Sequence, residues 1–165
     1  MTQRKVCMLG SFAVGKTSLV QRYLRGVYTE RPPATVGVKI DRAVVDIDAG
    51  AVSLIVWDIH GDDEFQRIHT SYLRGARGHM LVADATRPET FGATGKLREM
   101  ADAVCPGAVF VLALNKSDAV EELGIPEGAL RELEAGGLPV FRTSAKSGEG
   151  VADAFAALAR AVKGR

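Results

Sequence analysis

Gly10-Ser11-Phe12-Ala13-Val14-Gly15-Lys16-Thr17-Ser18 fits the spacing G-x-x-x-x-G-K-[ST], follows the apolar run Lys5 to Leu9, and precedes a segment of helical spacing. Glycines at 10 and 15 allow a tight backbone loop whose N–H groups turn inward around phosphate oxygens, and the following helix N-terminus adds partial positive charge. In this pattern Lys16 reaches β- and γ-phosphates and the Thr17 hydroxyl is offered to Mg²⁺. A glycine-rich strand-to-helix turn without a ligand is the plain alternative, and the flanking pattern argues against it. Phe12 and Ala13 stand inside the loop as non-glycine residues.

The chain around this stretch reads as alternating strands and helices. Lys5 to Leu9 is a short apolar run suited to a strand buried on both faces. Lys16 to Leu24 has helical spacing and Gly26 is a plausible stop. Tyr28 to Gly37 is polar and interrupted by Pro32 and Pro33, so it is a surface loop. Val38 to Ile47 and Val52 to Trp57 flank Asp48-Ala49-Gly50 and form a hairpin. Asp58 to Gly75 is polar and glycine-punctuated, with an amphipathic piece around Phe65, Ile68 and Tyr72. Strands follow at His79 to Ala83, Val109 to Leu114 and Pro139 to Phe141, and helices at Glu89 to Val104, Glu127 to Leu133 and Gly150 to Val162. This order predicts an α/β fold: a six-stranded, mostly parallel sheet with one antiparallel edge strand and helices on both faces. Ligands in such folds sit beyond the carboxyl ends of the strands, where the polar interruptions fall.

Composition narrows the function. The 165 residues suit one domain. Lys and Arg total 21 against 20 Asp and Glu, a net charge of +1 with no long basic run, which argues against a nucleic-acid partner. The two cysteines, Cys7 and Cys105, have neither C-x-x-C spacing nor a Cys/His cluster, so they read as reduced thiols of a cytoplasmic protein without a zinc site. No apolar run reaches the length of a bilayer span, and Met1 to Arg4 leaves no room for a signal peptide.

Three further tetrads fall at expected strand tips. Asp58-Ile59-His60-Gly61 places an acid where it can hold Mg²⁺ through water, and a glycine where a backbone N–H can approach a terminal phosphate. Asn115-Lys116-Ser117-Asp118 places a carboxylate where it can accept hydrogen bonds from guanine N1–H and its 2-amino group, a donor pair that adenine lacks. Thr143-Ser144-Ala145-Lys146 supplies small residues and a backbone N–H suited to the guanine carbonyl. Each tetrad alone also occurs in ordinary loops. Their order and their common position are what carry the reading.

With these motifs, and with Thr35-Val36-Gly37-Val38, Trp57-Asp58, Tyr72-Leu73-Arg74-Gly75-Ala76 and Pro88-Glu89-Thr90-Phe91, nearly the whole chain resembles the Ras superfamily of small GTPases and its Rab branch most closely. The resemblance implies a P-loop NTPase fold, with residues 1–165 as a single G domain that binds GTP and GDP with Mg²⁺ and hydrolyses GTP. It implies nucleotide contacts from Gly10, Ala13, Val14, Gly15, Lys16, Thr17, Ser18, Tyr28, Asn115, Lys116, Asp118, Ser144, Ala145 and Lys146. Mg²⁺ ligation is implied for Thr17 and Thr35, with Asp58 acting through water. Residues 27–38 and 58–75 would be two switch segments that meet protein effectors and regulators, with Thr35 and Gly61 ordered by the γ-phosphate and Mg²⁺.

Departures from the family pattern concern hydrolysis. Asp62 stands where the family usually has a water-orienting glutamine, Ile59 and His60 replace small residues, and Phe12 replaces a small loop residue. Hydrolysis is therefore expected to be slow, with Asp62, His60, Thr35 and Gly61 as the residues around the reacting water. A GTP-dependent scaffold with little or no hydrolysis is the alternative, and an ATP-using kinase is disfavoured by Asn115-Lys116-Ser117-Asp118. The sequence ends at Lys163-Gly164-Arg165 without a cysteine, so no direct lipid anchor is expected. Its richness in alanine, glycine and arginine suggests a prokaryotic relative. His69 and His79 read as surface or strand-end residues, and Arg31 as a solvated loop arginine.

Overall fold

The computed structural model describes residues 1–33, 37–60 and 70–165. Strand β1 (Gln3–Leu9) leads into helix α1 (Lys16–Arg25), and the hairpin pairs β2 (Val38–Ile47) with β3 (Gly50–Ile59). After a 3₁₀ turn at Thr70–Tyr72 come β4 (Gly78–Asp84), α2 (Pro88–Val104), β5 (Val109–Asn115), a 3₁₀ turn at Ser117–Ala119, α3 (Glu127–Ala135), β6 (Val140–Arg142) and α4 (Val151–Lys163). Among the described residues no helix is long and apolar enough to cross a membrane.

The strands form one sheet in the order β2-β3-β1-β4-β5-β6. Among the described residues only β2 runs antiparallel to its neighbour, with Ile47 opposite Gly50 across the hairpin turn, where Gly50 takes a φ of 98° that a side chain would resist. β1 pairs in parallel with β3 on one side and β4 on the other. The chain thus leaves β1 in opposite directions, and the crevice beyond its carboxyl end is the topological switch point.

Side-chain alternation sorts the core into two layers. From β1, Val6 and Met8 pack with Leu19 and Val20 of α1 and with Phe155, Leu158 and Val162 of α4. Cys7 and Leu9 point the other way, into a layer with Leu97 and Ala101 of α2 and Leu130 of α3. All seven residues of β4 are buried, as a central strand covered on both faces requires. The expected α/β architecture is the observed one.

The differences are local. β3 runs two residues beyond Trp57, so Asp58 and Ile59 belong to the strand, paired with Lys39 and Val38. The segment expected to be the second switch therefore begins inside the sheet, and the expected amphipathic piece around Phe65 and Ile68 lies outside the described residues, as does His69. His79 is not a surface residue: it sits second in β4, fully buried, with its ring stacked on Phe110 at 5.1 Å. Burial and the Lys5 ammonium lower its pKa to about 4, against a weaker opposing effect from Asp102. Cys7 and Cys105 are free thiols, and burial raises Cys7 to about 12. Arg31 is exposed.

Candidate functional site

The loop between β1 and α1 is shaped by contacts that only glycine permits. A Cβ on Gly10 would lie 2.4 Å from the carbonyl oxygen of Val82, and one on Gly15, whose φ is 98°, would lie 2.2 Å from Asn115 Nδ2. Between them Val14 is buried in the core while Phe12 and Ala13 face outward. Lys16 folds back over the loop, its ammonium donating to the carbonyls of Gly10 at 2.9 Å and Ser11 at 3.1 Å. A buried ammonium is thereby held at the rim of a cradle suited to an anion.

Beside it, the Thr17 hydroxyl donates to Asp58 Oδ2 at 2.5 Å. Asp58 is almost completely buried, and its Oδ1 has no hydrogen-bond partner among the described residues. Burial raises its pKa, against the Thr17 hydrogen bond and the Lys16 charge, which lower it. An orphaned carboxylate oxygen next to a hydroxyl is a set of hard oxygen donors. It fits Mg²⁺, which takes one or two protein groups and completes its shell with phosphate oxygens and water. Among the described residues no group of three His, Cys, Asp or Glu side chains offers a protein-only cage.

At the other end, Asn115 ends β5 and ties three segments together. Its Nδ2 donates to the Val14 carbonyl at 3.0 Å, while its Oδ1 accepts from the Thr143 hydroxyl at 3.2 Å and from the Ala145 N–H at 3.3 Å. Ser144 is buried and its hydroxyl donates to Asp118 Oδ1 at 2.7 Å, which orients a carboxylate that is otherwise exposed. Arg22 of α1 holds the carbonyls of Ala145, at 2.6 Å, and Lys146.

Between the two ends lies a cavity of about 390 Å³. Of the residues expected from the sequence, Ala13, Gly15, Lys16, Thr17, Ser18, Tyr28, His60, Asn115, Lys116, Asp118, Ala145 and Lys146 line it. Gly10, Val14, Asp58 and Ser144 stand behind that lining, in contact with residues that form it. Thr35, Gly61 and Asp62 lie outside the described residues. The Ala145 N–H, expected to face the base, is turned on Asn115 Oδ1 instead.

Phe12 and Ile59, singled out in the sequence as departures from the family pattern, also line the cavity, as do Glu30, Pro32 and Pro33 of the expected first switch segment and Ala119, which no motif marks. Phe12 meets His60 edge-on, ring centroids 6.1 Å apart. The His60 N–H donates to the Gly37 carbonyl at 2.8 Å, joining the two segments expected to be switches. Glu30 pairs with Lys146 at 3.2 Å across the mouth and, by hydrogen bond and charge, raises the pKa of that exposed lysine. The buried Asp84, at the tip of β4, pairs with Lys116 at 2.8 Å and Arg87 at 3.1 Å. Its position at a strand's carboxyl end is the signal that singles out the other motifs, and applied to β4 it finds Asp84 too.

A family model described as "Ras family" matches residues 5–164. The chain belongs to the Ras family. It is 36% identical over 153 residues to the Ras-related protein RABA4a of Arabidopsis thaliana, covering 92% of this chain and 68% of that protein. Over 163 residues it is 31% identical to the Ras-related protein Rab-1D of Dictyostelium discoideum, covering 98% of this chain and 80% of that one. The GTP-binding protein ypt1 of Schizosaccharomyces pombe (strain 972 / ATCC 24843) is 31% identical over 163 residues, with the same coverage of 98% and 80%. This Ras-family chain is a Rab-like small GTPase and a GTP-binding molecular switch. The six-stranded sheet is its G-domain fold. Members of the family bind GTP and GDP with Mg²⁺, hydrolyse GTP, and meet effectors and regulators.

Proposed function

We propose that this switch works as one G domain over residues 1–165, holding GTP or GDP in the 390 Å³ cavity and turning GTP over slowly. One observation supports this most: the Lys16 ammonium, the Thr17–Asp58 oxygen pair and the Ser144-oriented Asp118 carboxylate are arranged around a single cavity. In this reading Gly10, Ala13, Val14, Gly15 and Ser18 shape the phosphate cradle, and Lys16 neutralises phosphate charge. Thr17 and Thr35 would hold Mg²⁺, with Asp58 acting through water, and the ion would neutralise charge on the β- and γ-oxygens. Asp118 accepts from the two guanine donors, Tyr28 stacks beside the base, and Lys116 and Lys146 flank it. The Ala145 N–H makes a hydrogen bond at 3.3 Å, longer than the usual N–H···O range, and exchanges it for the guanine carbonyl. Residues 27–38 and 58–75 present the nucleotide state to effectors and regulators.

Slow turnover rests on two residues. An attacking water needs a group that orients it without opposing the charge on the γ-phosphate, and an uncharged amide does this. Asp62 would bring a carboxylate toward that charge, and repulsion between the two would make it a poor group for orienting water. Phe12 takes up space that an incoming arginine needs. A second reading is favoured by the Phe12–His60 contact, which holds an imidazole at the cavity edge: His60 orients the water in place of the missing glutamine.

Single-turnover hydrolysis separates the two. Wild type should turn over no faster than the order of 10⁻⁴ s⁻¹ of unassisted Ras. Asp62→Gln should raise that rate, and His60→Ala should leave it unchanged. A fast wild type that loses turnover in His60→Ala overturns the impaired-switch reading and makes histidine the catalytic residue. A wild type with no measurable turnover, unchanged in Asp62→Gln and in Phe12→Gly with an activating partner, supports a GTP-dependent scaffold instead.

A further inference from the structure

Three successive carbonyls of the phosphate loop are each held from outside by a different side chain. Arg87 Nη2 donates to the Phe12 carbonyl at 2.6 Å, Lys116 Nζ to that of Ala13 at 2.9 Å, and Asn115 Nδ2 to that of Val14 at 3.0 Å. A peptide is planar and its C=O and N–H point in opposite directions. Fixing these carbonyls outward therefore fixes the N–H groups of Ala13, Val14 and Gly15 in the opposite sense, toward the cradle. Two of the three donors are cations, and both converge on Oδ2 of Asp84, which is 1% exposed. Thr86 adds its N–H at 2.8 Å and its hydroxyl at 2.5 Å on Asp84 Oδ1. Burial alone raises the pKa of this carboxyl, but the hydrogen bonds from Lys116, Thr86 and Arg87 together bring it below its ordinary value, so it stays ionised.

The backbone shows what the arrangement holds in place. Among the described residues Ala13 and Lys116 are the non-glycine residues with positive φ, 58° and 61°, and they are joined by the Lys116–Ala13 hydrogen bond. Such conformations persist only where the surroundings over-determine them.

We propose that Asp84 and Arg87 are positioning residues for the phosphate cradle: the buried carboxylate gathers Arg87 and Lys116, and these set the loop peptides that face the nucleotide's β-phosphate. This rests on the reading of the cavity as the nucleotide site. The specific consequence is discrimination between GDP and GMP. The brace acts on the β-phosphate end and leaves the base contacts of Asp118 alone, whereas a residue of merely structural importance weakens both ligands equally.

Affinities of nucleotide-stripped full chain for GDP and GMP, measured by titration calorimetry, test this in wild type, Arg87→Ala and Asp84→Asn. In both variants the preference for GDP over GMP should fall about tenfold, the equivalent of one charge-assisted hydrogen bond. Arg87→Ala leaves Asp84 paired with Lys116, so it decides the matter if Asp84→Asn does not fold. An unchanged GDP-to-GMP ratio in Arg87→Ala overturns the proposal while leaving the nucleotide site intact. A wild type that binds neither nucleotide, or both equally, overturns the nucleotide-site reading and the brace with it.

Discussion

Replacing His79 with phenylalanine removes a buried titratable ring while keeping an aromatic surface against Phe110, which it now stacks on at 5.1 Å. Its pKa is lowered from 6.5 to about 4 when folded, so between these values the unfolded chain binds more protons than the folded one. The sign follows: stability is fully present above the unfolded value of 6.5 and is lost as pH falls through the window toward 4. At about pH 5 most of the shift has been expressed, and at roughly 1.4 kcal/mol per pKa unit the loss from His79 alone is about 2 kcal/mol. Urea unfolding of GDP-saturated wild type and His79→Phe at about pH 7.5 and about pH 5 reads it directly. Comparing the two proteins at each pH cancels the contributions of His60, His69 and the carboxylates. The stability difference between variant and wild type should shift in the variant's favour by about 2 kcal/mol on acidification. Parallel pH dependences would show that His79 is protonated in the fold and would refute the reasoning.

Two predictions address ligand contacts. Asp118→Asn replaces an acceptor by a donor and should cost about 1 to 3 kcal/mol in GDP affinity while improving xanthosine diphosphate binding; unchanged GDP affinity by titration calorimetry removes Asp118 from the base site. Thr17→Ala leaves a methyl beside Asp58, which cannot ligate a hard cation. Chelating Mg²⁺ should therefore accelerate GDP release strongly in wild type and weakly in Thr17→Ala, and equal acceleration in stopped-flow fluorescence contradicts the assignment.

Most of the fold was readable because its signals are local. The apolar run of β1, the hairpin's alternation around Asp48-Ala49-Gly50 and the helical spacing of α1 and α4 each bury the face that their period predicts. The phosphate loop was readable because glycine alone avoids the clashes at positions 10 and 15. What escaped depends on contacts distant in the chain. Asp58 looks like a loop residue beside His60 and Gly61, yet β2 pairing extends the strand over it. His79 is polar in a strand, yet the fold buries it and stacks its ring on Phe110, 31 positions away. Asp84 and Arg87 carry no motif of their own. Their role emerges from Lys116 and Phe12, which the fold brings to them from two other strand tips. The direction of the Ala145 N–H depends likewise on Asn115, 30 positions earlier.

The nucleotide that accompanies the freshly purified chain tests the central claim most directly. Acid extraction followed by ion-exchange chromatography should release guanine nucleotide in an amount equimolar with protein. GDP should predominate if the chain hydrolyses GTP during its lifetime, and GTP if turnover is nearly absent. Adenine nucleotide in that fraction would contradict the assignment of Asp118 and of the cavity as a guanine-nucleotide site.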